Sequence, residues 1–153
     1  MAGEHTCASG PNRNKAPVAD FYGLLSGSSK YTDEDFTTDN DALWWSDLGE
    51  YPGNTNRYPT WTRAKTAFPN STLFGDGVTV DDINQGGLGN CWFLSAASVL
   101  AQKEGRLEKV FLNTANALNN NGIYAVNFFT LGIPHTVVVD DYLPLSQGWN
   151  GGY

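Results

Sequence analysis

Residues 85–102 constrain this chain more than any other stretch. Three glycines, Gly86, Gly87 and Gly89, fall in one short loop, and Asn90 then opens the unbroken helical run CWFLSAASVLAQ. Residues without a Cβ let the chain turn tightly or let another backbone come close. Asn is among the best N-cap residues, because its side-chain oxygen accepts a free amide of the first turn. The run after it is apolar nearly all round, which predicts a helix buried at the centre of the domain.

A core of that kind needs apolar mass, and the composition supplies it. Of 153 residues, 41% are hydrophobic and 13% aromatic, enough to exclude wholesale disorder. Only 16% are charged, below the roughly 25% of an average soluble domain, which suits a surface that other protein covers. Sixteen acids against nine bases give a formal charge of −7. That field repels phosphate backbones and anionic bilayers, so neither nucleic acid nor a lipid surface is an expected partner. No apolar run reaches the roughly 18–20 residues needed to span a bilayer, so no stable membrane insertion is expected. The start, MAGEHTCASG, lacks the basic-then-apolar profile of a secretory signal. With Cys7 and Cys91 the only cysteines, no disulfide framework exists, and a reducing, cytoplasmic setting is expected.

Three stretches differ in character. Residues 1–30 read as a flexible tail with at most a short ordered piece at 21–25. Residues 31–72 read as an extended segment wrapping the core. There the acids Asp33, Glu34, Asp35, Asp39, Asp41 and Asp47 surround Leu43, Trp44 and Trp45, whose rings suit insertion as anchors, and 49–70 is rich in turn formers. Residues 73–153 read as the core. Within it, 73–80 suggests a short strand around a glycine turn, and 106–118 a second helix carrying Leu107, Val110, Phe111 and Leu118. Strand-like runs at 123–130 and 135–140 suit a hairpin with a four-residue loop, and residues from Pro144 onward read as loop.

The chemistry concentrates before the predicted helix. Cys91 falls in its first turn, where the positive end of the helix dipole and free amides favour thiolate over thiol, as a nucleophile requires. Gln85, six residues earlier, offers a side-chain amide that with the Cys91 N–H makes a two-donor oxyanion hole. A lone cysteine in an apolar helix is more often an inert core residue. The combination of Gln, three Gly, an N-cap and Cys-Trp at these spacings argues for the chemical role. Asp76, Asp81 and Asp82 flank the glycine turn, which suits a hard cation with oxygen ligands, although acids in a loop are commonly just solvated.

QGGLGNCWFLSAASVLA resembles the active-site segment of calpains, the calcium-dependent papain-like cysteine proteases. The runs LFGDGVTVDDI and GIYAVNFFTLGIPHTVVVDDYLPL, and more loosely residues 36–48, are also similar to calpain segments, so the resemblance covers roughly 36–146. It implies an α+β, papain-like fold, here the first half of a protease core with a central helix and a small antiparallel sheet. It further implies Cys91 as nucleophile, Gln85 as oxyanion donor, and calcium held in part by Gly75, Gly77 and Asp82. The expected substrate is a protein or peptide, cleaved through a thioester. Calpains carry Asp where this chain has Asn90, and their catalytic histidine and asparagine lie in a second subdomain, past residue 153. Of the two histidines here, His5 lies in the tail and His135 opens a strand at a position without a catalytic counterpart. The expected partner is therefore that second subdomain. The alternative is a catalytically inactive calpain-like regulatory or protein-binding module.

Overall fold

A computed structural model describes residues 21–38, 60–85 and 90–145. Leu43, Trp44 and Trp45, the glycines of the 86–89 loop, and the residues after 145 lie outside that set. In chain order the elements are α1 (Phe21–Ser26), β1 (Thr60–Arg63), α2 (Ala64–Ala67), a 3₁₀ turn at Val80–Asp82, α3 (Cys91–Ala101), a second 3₁₀ turn at Glu108–Val110, β2 (Ile123–Thr130), β3 (Ile133–Asp140) and β4 (Tyr142–Leu145). Helices and small antiparallel sheets together make the class α+β.

The strands form two antiparallel pairs. β2 and β3 make a hairpin with Ile123 opposite Asp140 and Thr130 opposite Ile133. β1 pairs with β4, Thr60 opposite Leu145 and Arg63 opposite Tyr142. The hairpin loop is shorter than expected: only Leu131 and Gly132 lie outside the strands, at φ 52° and 81°. Positive φ at both central residues is the two-residue turn that matches strand twist, so Ile133 and Pro134 join β3 rather than the loop.

The buried centre is small. Phe21, Ile123, Ala125 and Val138 form it, with Leu25, Tyr31 and Leu112 packed against them. The ordered piece expected near Phe21 is thus α1, and its first residue is part of this centre. Asn121 fastens it there: its side-chain Nδ2 donates to the carbonyls of Leu24 (2.9 Å), Leu25 (3.3 Å) and Gly27 (2.6 Å). Leu24 O also accepts from Gly27 N at 3.3 Å, so side chain and backbone together close the end of this six-residue helix. The Tyr31 N–H returns the link by donating to Asn121 O at 2.8 Å.

Five further expectations are corrected. The stretch 106–118 holds only the 3₁₀ turn at Glu108–Val110 as a helical element, because Asn113 serves β2 and Asn116 the turn at Phe74 and Gly75. Asn113 Nδ2 donates to Ile123 O at 3.1 Å and its Oδ1 accepts from Ala125 N at 3.0 Å, so one buried amide stands in for a neighbouring strand. Residues 73–80 contain no strand. Phe74–Gly77 is a turn closed by Gly77 N donating to Phe74 O at 2.9 Å, with Gly75 and Gly77 both at positive φ. The end of the stretch 49–70 is a strand and a short helix rather than irregular chain. Pro144, expected in loop, sits in β4 opposite Trp61, a place proline tolerates in a two-stranded sheet where every strand is an edge. Finally, α3 is not buried. Of its eleven residues only Ala101 is buried, while Trp92 is 74% and Val99 59% exposed. No element among the described residues covers that face.

Candidate active site at the start of the third helix

α3 begins at Cys91, whose thiol is free and exposed. Asn90 O accepts from Phe93 N (3.0 Å) and Leu94 N (3.1 Å), so the first turn is closed at the residue the sequence marked. The cap itself departs from expectation. Asn90 has φ −105° and ψ 20°, away from the extended geometry of a capping residue, and its side chain makes no cap bond. Its Oδ1 is buried without a hydrogen-bond partner among the described residues. The amides of the first turn offer hydrogen-bond donors beside the thiol.

The rings beside Cys91 form a ledge. Trp92 and Phe93 meet edge to face at 5.8 Å, and Phe93 lies 6.3 Å from Phe128 of β2. The contact ties the helix start to the hairpin. Phe128 is paired in register with His135, so these two side chains share a face of the hairpin. His135 is exposed there and bonds to no residue of α3 among those described.

Gln85 is exposed at the other end of the glycine loop from Cys91. The segment leading to it is anchored, since the 3₁₀ turn at Val80–Asp82 packs against α3. Asn84 Nδ2 donates to Asp81 O at 3.1 Å, and Ile83 N to Val80 O at 3.2 Å. The distance across the loop runs through residues outside the described set.

Gly75, Gly77 and Asp82 provide oxygen, the donor type a hard cation needs. Asn116 grips the first of them: its Oδ1 accepts from Phe74 N at 2.7 Å and its Nδ2 donates to Gly75 O at 2.8 Å. Val78 N donates to Glu108 Oε1 at 3.0 Å, which directs the Gly77 carbonyl, on the opposite side of that peptide, away from Glu108. Asp82 Oδ2 accepts from Thr79 N and Thr79 Oγ1, both at 2.8 Å, making a capping box. Those bonds, led by the backbone amide, hold the Asp82 carboxyl below its ordinary pKa, so it stays ionised in an exposed position. The three groups supply fewer than the roughly six to eight oxygens that calcium takes. No group of three or more His, Cys, Asp or Glu suited to a metal occurs among the described residues.

The family model of calpain cysteine proteases matches residues 31–150. Mouse calpain-5 is 35% identical over 121 residues, covering 74% of this chain and 18% of the relative. The human calpain-2 catalytic subunit is 34% identical over 125 residues, covering 81% and 18%, and the pig calpain-1 catalytic subunit 33% over 126, covering 81% and 17%. The chain belongs to the calpain family of cysteine proteases. It spans about a fifth of the length of the curated relatives it matches.

Proposed function

We propose that this chain is the nucleophile-bearing part of a calcium-dependent cysteine endopeptidase acting on protein substrates. The observation that carries it is an exposed thiol on the first residue of a helix, behind a glycine loop opened by Gln85, inside a match to the calpain protease family. Cys91 Sγ attacks the scissile carbonyl carbon, the C–N bond breaks, and a thioester forms that water then hydrolyses. The Cys91 N–H and the Gln85 side-chain amide donate to the oxygen as it becomes negative. An imidazole must take the thiol proton and return it to the leaving amine. That group, with its orienting partner, comes from a second subdomain, which docks against the uncovered side of α3. Calcium bound through Gly75 O, Gly77 O and Asp82 would supply charge that fixes the turn beside α3. The setting is cytoplasmic, consistent with two cysteines and, among the described residues, no helix long and apolar enough to cross a membrane.

The test is steady-state kinetics on the complete protein in which this chain occurs. Gln85→Ala lowers kcat by about 10²–10³, the usual effect of losing one oxyanion donor, with KM little changed. A loss carried by KM alone would make Gln85 a substrate-positioning group instead.

A further inference from the structure

Away from Cys91, a cavity of about 220 Å³ opens between α2, the end of β1, the turn at 118–122 and the segment after α1. Its charged lining is Lys30, Arg63, Lys65 and Asp141, with Thr66 also in the lining. The chain as a whole is acidic, yet three of the six Lys and Arg among the described residues meet here; the others are Lys103, Arg106 and Lys109. Three cations against one carboxylate leave two positive charges.

The three cations are not equally engaged. Arg63 is fixed: Nη1 donates to Asp141 Oδ1 at 2.7 Å, Nη2 to Thr32 Oγ1 at 3.0 Å, and the guanidinium lies 4.1 Å over the Tyr142 ring. Lys65 Nζ donates to Asn120 Oδ1 at 2.5 Å and, more weakly, to Leu118 O at 3.4 Å, which leaves one of its three N–H groups. Neither acceptor is charged, so the Lys65 charge is not cancelled. Lys30 makes no ion pair among the described residues. Gly122, at φ 62°, lies directly against the Asp141–Arg63 pair, where a Cβ would come within 2.8 Å of Arg63 Nη1, so this side of the cavity is closely packed.

From this juxtaposition we infer a binding site for a phosphate-class dianion, one group in size, held between Lys30 and Lys65 with Arg63 as the fixed wall. The net double charge matches a dianion better than a carboxylate, and Lys and Thr supply donors of the kind that phosphate oxygens accept. The site uses none of the residues placed in the protease chemistry and does not depend on that reading.

The test is NMR titration of the ¹⁵N-labelled 153-residue chain with inorganic phosphate, O-phosphoserine and acetate, following the amides of Thr66 and Gly122. Phosphate and phosphoserine produce saturating shifts, whereas acetate binds at least about fivefold more weakly, the effect of one charge near 4 Å in water. Whichever phosphate probe binds tighter identifies the source as free ion or phosphorylated side chain. Lys30→Met and Lys65→Met, both at exposed positions, each weaken phosphate about fivefold, while Lys103→Met does not. Absence of saturation, equal binding of acetate, or affinity unchanged in both pocket variants would overturn the site.

Discussion

Gly122 leaves no room for a Cβ: one built there presses on Asp141 Oδ1 and lies 2.8 Å from Arg63 Nη1. The closeness matters because Asp141 and Arg63 are themselves paired at 2.7 Å with side chains only 4% and 11% exposed. That ion pair joins β1 to the residue between β3 and β4, so it ties the two sheets together. Ala64 N, donating to Asp141 O at 2.8 Å, adds a backbone link at the same place. Gly122→Ala combines a strained positive φ with displacement of a buried pair, and is expected to cost about 2–3 kcal/mol. Urea unfolding of the two proteins measures it. A loss under half a kcal/mol would mean the pair moves aside freely.

Asn121 carries the attachment of α1. Asn121→Ala removes the donor to three carbonyls, and a helix of six residues has little stability of its own. The expected loss is about 0.5–1.5 kcal/mol, the net worth of hydrogen bonding whose acceptors stay within reach of water. Hydrogen exchange localises it, with the amides at Gly27 and Tyr31 losing protection before those of β2 and β3. Equal loss throughout would show α1 folding as one unit with the hairpin.

Much of the fold was legible where the signal is local. The hairpin strands and the start of α3 at Cys91 follow from runs of β-branched residues and from an abrupt change of period after a glycine loop. The β1–β4 pairing was not, because Thr60 and Leu145 are far apart in sequence and Pro144 reads as a breaker when its edge position is unknown. The stretch 106–118 misled through Leu107, Val110, Phe111 and Leu118, whose spacing is near-helical. Its asparagines are held elsewhere, Asn113 by the β2 backbone and Asn116 by the turn at Phe74 and Gly75. Exposure of α3 was hidden for another reason: an all-round apolar helix says that something covers it, not which residues do. At the site, the position of Cys91 was legible from type and spacing. That Asn90 would leave its side-chain oxygen unpaired was not, since capping depends on φ and ψ.

The hairpin turn stores strain that one substitution relieves. Leu131 sits at φ 52° and is 98% exposed, so its side chain gains nothing from burial. Asn tolerates the left-handed region, and Asn-Gly is the preferred pair in this turn. Leu131→Asn is expected to stabilise the chain by about 0.5–1 kcal/mol, a fraction of the left-handed penalty of roughly 1–2 kcal/mol. Thermal unfolding checks it, and a lowered Tm would contradict the turn geometry.

Two tyrosines titrate late. Burial chiefly pushes Tyr31 above the ordinary value, with Asp33 and Asp140 adding to it. Burial also raises Tyr124, against the opposing bond from Asn119 N. Both are neutral when protonated, so a raised folded-state pKa means ionisation opposes folding. Their contribution is full below the unfolded tyrosine value of about 10 and declines as pH rises through the folded values. Absorbance titration at alkaline pH should show a late component that shrinks in Tyr31→Phe and again in Tyr124→Phe. A single component at the free-tyrosine value would contradict both.

Covalent capture shows whether Cys91 is the catalytic nucleophile. The complete protein in which this chain occurs is incubated with a peptidyl epoxide, with calcium or with chelator, digested, and analysed by mass spectrometry. The predicted result is stoichiometric adduct on the peptide containing Cys91 with calcium, little without it, and none in Cys91→Ala. Adduct at another residue, or proteolysis that survives Cys91→Ala, would contradict it.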